Sequence, residues 1–151
     1  MYRSILVPMD GSEGAFCAFE LACHLLRDDS SHLMALIVDE TKGGKHAPST
    51  ERHDIDHMRQ QMDRLATQAG VRDDNISIEI SRGDPVEHIV REAGKTGVDA
   101  IVMGSRGLSN LAGHGQQMGG VSHRVSHRAP CSVLTVHGAR QAHSSHRSHS
   151  I

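Results

Sequence analysis

Val98-Asp99-Ala100-Ile101-Val102-Met103-Gly104-Ser105-Arg106-Gly107, followed after a polar stretch by Gly119-Gly120-Val121-Ser122-His123-Arg124-Val125, is the passage on which the reading of the chain turns. The run Ala100-Ile101-Val102-Met103 is short, continuously apolar and stopped by glycine, which predicts a buried strand opening into a turn. The second glycine pair then opens a predicted helix. Glycine lets a backbone approach a ligand closely, and a helix start offers unpaired N–H groups and the positive end of a dipole. Strand, glycine turn and helix start in that order suit a phosphate group.

Outward from this passage the same alternation recurs. Ile5-Leu6-Val7 is a brief apolar run stopped by Pro8 and the turn Asp10-Gly11-Ser12, which reads as a buried strand. Ser12 is a predicted N-cap with Glu13 behind it, and Ala15, Phe16, Phe19, Ala22, Cys23 and Leu26 recur at helical spacing over 13–27. A second apolar run at 33–38 gives way to a Gly/Pro/Ser-rich loop at 41–50. Ile55, Met58, Met62, Leu65 and Ala69 predict a helix within 51–69, closed by Gly70. The alternating stretch 75–80 predicts a strand with one face less buried, near a sheet edge.

Asp84 at the N-cap, Pro85 at the first helical position and Glu87 two residues on predict a third helix reaching about Lys95. A fourth runs from about Gly120 to Arg128 and stops at Ala129-Pro130, before a last strand at 132–136. Strand and helix alternate throughout, so the predicted fold is α/β: a doubly wound, mostly parallel sheet with helices on both faces. Ligands bind such sheets at the carboxyl ends of the strands, where strand order reverses. The turns after Val7, Val38 and Met103 all fall on that edge.

The 151 residues fit one domain, read as 1–136, followed by a His/Ser-rich polar stretch, 137–151, expected to be a disordered tail. With 2% aromatic residues and no Trp, the core has to be built from Ile, Val, Leu, Ala and Met. Sixteen Lys and Arg against 18 Asp and Glu leave a net charge of −2, which makes no electrostatic case for nucleic acid or an anionic membrane. The N-terminal apolar run is too short for a signal peptide or a membrane span. Three cysteines at spacings that match no zinc or redox motif read as reduced core thiols of a cytoplasmic protein.

Ile5-Leu6-Val7-Pro8-Met9-Asp10-Gly11-Ser12 resembles the opening of the universal stress protein family. Val102-Met103-Gly104-Ser105-Arg106-Gly107-Leu108-Ser109 resembles its fourth strand and phosphate loop, and Val121 to Val125 with Ala129 to Val136 its last helix and strand. The blocks occur in the family's order across residues 2–136. The resemblance implies a five-stranded flavodoxin-like sheet of order 3-2-1-4-5. It also implies a homodimer in which the strand at 132–136 pairs across a two-fold axis. Many members bind ATP, some AMP or cyclic AMP, and others no nucleotide.

Carried over residue by residue, Pro8 and Asp10 would border the adenosine, and the Val38 backbone would meet the adenine. Met103, Gly104, Arg106 and Gly107 would line ribose and phosphates, and Gly119, Gly120, Val121 and Ser122 would cradle the phosphate tail. Magnesium would accompany ATP. Nucleotide-binding members carry G-x2-G-x9-G-[S/T]; here eleven residues separate Gly107 from Gly119, and Gly120 stands at the hydroxyl position. The lost hydroxyl removes a charge-assisted hydrogen bond of about 1.5–3 kcal/mol, roughly tenfold or more in affinity.

The expected function is therefore a dimeric nucleotide-binding stress protein. The alternatives are a nucleotide-independent interaction protein of the same fold, or a slow ATPase, although no committed nucleophile or base is evident. His53 and His57, and again His123 and His127, stand four apart, a spacing that can present two metal ligands on one helix face. Without an evident third ligand both pairs read as surface histidines, and no metal site is assigned.

Overall fold

The computed structural model describes residues 1–39, 48–105 and 120–137, and side chains within 48–105 from residue 54 onward. Among the described residues five strands and four α-helices alternate: β1 (Ser4–Met9), α1 (Glu13–Leu25), β2 (His32–Asp39), α2 (Pro48–Ala69), β3 (Ile76–Arg82), α3 (Pro85–Thr96), β4 (Ala100–Gly104), α4 (Gly120–Arg128) and β5 (Ser132–Val136). A 3-10 turn, Asp73–Asn75, precedes β3. All four strand pairs are parallel and the order is β3-β2-β1-β4-β5. The expected doubly wound fold is what forms, with the sheet wholly rather than mostly parallel.

The two-residue period of the strands divides the core in two. Ile5, Val7, Leu33, Ala35, Ile37 and Val102 face α1 and α2, packing on Ala18, Phe19, Ala22, Met58 and Met62. Leu6, Leu36, Ile101 and Met103 face the other way, against Val86 and Ile89 of α3 and Val125 of α4. The continuous apolar runs of β1, β2 and β4 thus reflect strands covered on both faces. β3 lies at one edge, as its sequence predicts, and leaves Glu79 exposed; Ile80, on the opposite face, is exposed as well, which alternation alone does not predict.

Two boundaries differ from the sequence reading. α2 starts at Pro48, inside the stretch read as a loop, because proline's fixed φ and missing N–H are compatible with a helix's first turn. β1 runs through Pro8 rather than stopping there. The Ser4 carbonyl accepts from Asp99 N–H, and the Arg3 carbonyl from His32 N–H, so Ser4, Leu6 and Pro8 direct their backbone groups towards β4. The β1–β4 register ends at Leu6, paired with Ile101, while β1–β2 pairing continues to Met9. Proline's missing donor therefore falls where β1 has already parted from β4.

Among the described residues no helix is long and apolar enough to cross a membrane. The expected tail from 138 onward lies outside the described residues.

Candidate functional site

The strand order reverses at β1, whose neighbours β2 and β4 are reached by crossovers of opposite direction. A crevice opens there at the carboxyl edge, as doubly wound topology dictates. Pro8, Met9 and Asp10 line it from β1, Leu36 and Val38 from β2, and Met103 and Gly104 from β4. α1 contributes Ser12 and Ala15 from its start, α3 contributes Pro85 and Ile89, and α4 contributes Val121 and Ser122. Its cavity volume is about 50 Å³, and about 520 Å³ is empty when the space out to its open side is counted.

Each wall has a local cause. Asp10 accepts from Ser12 N–H at 2.9 Å, an Asx turn that bends the chain out of β1. Ser12 then caps α1, its hydroxyl accepting from Ala15 N–H at 3.2 Å. Asp84 caps α3 by accepting from Glu87 N–H at 3.0 Å, with Pro85 behind it as the sequence predicts. The Glu87 carboxylate also takes two hydrogen bonds from Arg128, at 2.6 and 3.2 Å, joining α3 to the far end of α4. Those hydrogen bonds and the adjacent guanidinium charge hold Glu87 below its ordinary carboxylate range.

Val38 stands one residue beyond the last β1–β2 register pair. The next carbonyl, that of Asp39, accepts from Gly83 N–H on the β3 side, so the Val38 backbone groups face β1 and the crevice. Gly104 closes the floor. A Cβ there would lie 3.0 Å from the Gly14 carbonyl carbon, so glycine is what lets the first turn of α1 rest on the end of β4. Beyond it, the buried Ser122 hydroxyl donates to the Ser105 carbonyl at 3.3 Å, and Ser105 Oγ lies 3.0 Å from His137 Nδ1. These contacts tie the start of α4 to the ends of β4 and β5.

Seven of the residues singled out in the sequence therefore meet in one crevice: Pro8, Asp10, Val38, Met103, Gly104, Val121 and Ser122. Gly120 is the first residue of α4 but is not among the lining residues. Arg106, Gly107 and Gly119, with the intervening stretch 108–118, lie outside the described residues. Sequence reasoning missed Met9, Ser12, Ala15, Leu36, Pro85 and Ile89 as walls. Two of them carried a usable signal: Leu36 shares a strand face with Val38, and Ile89 lies one helical turn after Pro85.

Apolar walls with a few convergent polar groups, at a helix N-terminus, are what a flat, phosphorylated ligand requires. The model of the universal stress protein family matches residues 1–137. Universal stress protein YxiE of Bacillus subtilis is 31% identical over 157 residues, spanning 90% of this chain and 99% of that protein. A universal stress protein solved in complex with cAMP superposes with a TM-score of 0.71 at 23% identity, covering 91% of this chain and 99% of that one. The family protein At3g01520 of Arabidopsis thaliana, solved with AMP bound, gives a TM-score of 0.62 at 20% identity, covering 96% and 98% of the two chains.

Proposed function

The chain belongs to the universal stress protein family, and from that premise we propose that it binds an adenine nucleotide in the crevice between β1 and β4 and acts in the stress response as a cytoplasmic homodimer. The observation that carries this reading is the convergence of Pro8, Asp10, Val38, Met103, Gly104, Val121 and Ser122 on one crevice. Leu36, Val38 and Met103 offer apolar contact to a base, and the Val38 backbone faces the position where its edge would lie. The nine-residue helix α4 begins at the crevice, and the positive dipole end of a helix suits a phosphate. That cAMP and AMP are bound by two proteins of this fold supports an adenine ligand here.

Ligand sites for small molecules commonly span about 300–1,000 Å³. The crevice's cavity volume of about 50 Å³ lies below that range, which is the observation that weighs against a nucleotide. ATP with magnesium, AMP and cyclic AMP are the ligands to distinguish.

Acid denaturation of the purified protein, with chromatography of the released small molecules, tests the reading. Adenine nucleotide near one per chain is expected, or, from an empty preparation, saturable binding on titration with ATP, AMP and cyclic AMP. No release and no binding of any of the three would overturn it. The same result would favour the second reading, an interaction protein without nucleotide, for which the small cavity volume and Gly120 in place of a hydroxyl residue speak.

A further inference from the structure

α4 does more than present its first turn to the crevice. His123 and His127 lie on successive turns of its exposed side, with ring centroids 4.6 Å apart and ring planes at 74°. Residues four apart on a helix are neighbours, and imidazole nitrogen is a ligand for borderline metals. The geometry can be checked against coordination. With metal–nitrogen bonds of about 2.0–2.1 Å, an ion sits about 3.2 Å from each ring centroid, so two rings at about 90–110° around it stand about 4.5–5.2 Å apart. The observed 4.6 Å falls in that interval. An imidazole centroid lies close to its χ2 axis, so turning the ring aims a nitrogen inward without moving the ring away.

Of the two arginines beside the pair, Arg128 is engaged by the Glu87 carboxylate of α3, which offsets its positive charge. Among the described residues no third histidine, cysteine or carboxylate joins the pair.

We propose that His123 and His127 form a two-ligand chelate on α4 for an exchangeable Cu(II), Ni(II) or Zn(II) ion, with water completing the coordination. Two imidazoles select these ions over Mg(II) and Ca(II), which prefer oxygen ligands. Two protein ligands make the site exchangeable, in contrast to the closed four-ligand sites that hold structural zinc. A bound ion clasps consecutive turns of the helix, beginning one residue after the crevice-lining Ser122.

The test is a Zn(II) titration of the full chain followed by the histidine ring resonances in NMR. The expected result is joint saturation of the His123 and His127 signals at one ion per chain. His123→Gln should weaken the response of His127 by ~10-fold or more, because the second ligand supplies a high effective concentration, and His127→Gln should do the same to His123. Both side chains are exposed, and each variant's fold is read from the same spectra. The proposal is overturned if zinc shifts only other histidines, such as those in 137–151 or the His53 and His57 pair. It is equally overturned if each member of the pair keeps its titration midpoint when the other is replaced.

Discussion

Gly104 and Gly120 look alike in the sequence, as glycines beside a phosphate turn, but they sit in opposite surroundings. A Cβ on Gly104 would meet Gly14 and Ala15 backbone atoms at 3.0 to 3.3 Å, and backbone of a packed helix turn cannot rotate away. Gly104→Ala is expected to destabilise the fold by about 1–3 kcal/mol, the usual penalty of overpacking, read as a lower urea midpoint. An unchanged midpoint would mean that α1 is not seated on β4. Among the described residues nothing lies within 4 Å of a Cβ on Gly120, and its φ is outside the left-handed region. Gly120→Ser should therefore fold normally while restoring the hydroxyl that nucleotide-binding relatives carry, raising ATP affinity by about tenfold in calorimetry. Equal affinity would show that the missing hydroxyl does not limit binding. Pro8, Asp10 and Gly104 could be picked out in the sequence because such residues punctuate strand ends, whereas walls such as Leu36 and Ile89 are ordinary core residues in sequence. The close approach of Gly104 to α1 was not legible there, since it depends on how a helix 90 residues earlier in the chain packs.

At the scale of elements, the sequence pattern identified each strand and α-helix of the described residues, and the errors fell where a residue's meaning depends on its partners. Pro8 ends a strand in isolation, yet β1 continues because the missing N–H points at a gap between strands. Pro48 reads as loop punctuation, yet it starts α2. The Glu87–Arg128 pair was equally hidden, 41 residues apart in sequence. It joins two helices that both contribute crevice walls, and it carries a pH signature. Glu87 is held below its ordinary value of 4.5, so the folded state binds its proton less readily than the unfolded chain. The pair's contribution is then fully present above the unfolded value and is lost as pH falls through the folded one. Arg128→Gln should lower the urea midpoint at neutral pH, and the gap from the parent protein should close in acid, below the carboxylate range. A gap of the same size at both pH values would assign the effect to something other than this carboxylate. Both side chains are about half exposed, so high salt should also narrow the gap.

At the scale of the molecule, the five parallel strands end at β3 on one side and β5 on the other among the described residues, and the chain treats these two edges differently. β3 carries Glu79 and Arg82 exposed on its edge, charges that discourage pairing with another strand. β5 carries no charge between Ser132 and Val136, leaving it the better edge for the proposed homodimer. The register shows which backbone groups are available. The Val136 carbonyl accepts from Ser105 N–H on the β4 side, so by alternation Ser132 and Leu134 also face β4, while Val133 and Thr135 face outward. Thr135→Pro thus removes an N–H directed at a partner strand without touching the β4–β5 ladder, and an edge position tolerates proline. If two copies pair through β5, this variant should sediment as a monomer at concentrations where the parent protein is a dimer, while keeping its circular dichroism spectrum. A parent protein that is monomeric throughout, or a variant whose dimer is unaffected, would place any self-association elsewhere. Because β4 and β5 are joined at their carboxyl ends by Ser105 and His137, beside the Ser122 wall of the crevice, a dimer formed here would brace the nucleotide site from its outer side. The same variant should then also weaken nucleotide binding, and unaltered affinity in a monomeric Thr135→Pro protein would separate the two functions.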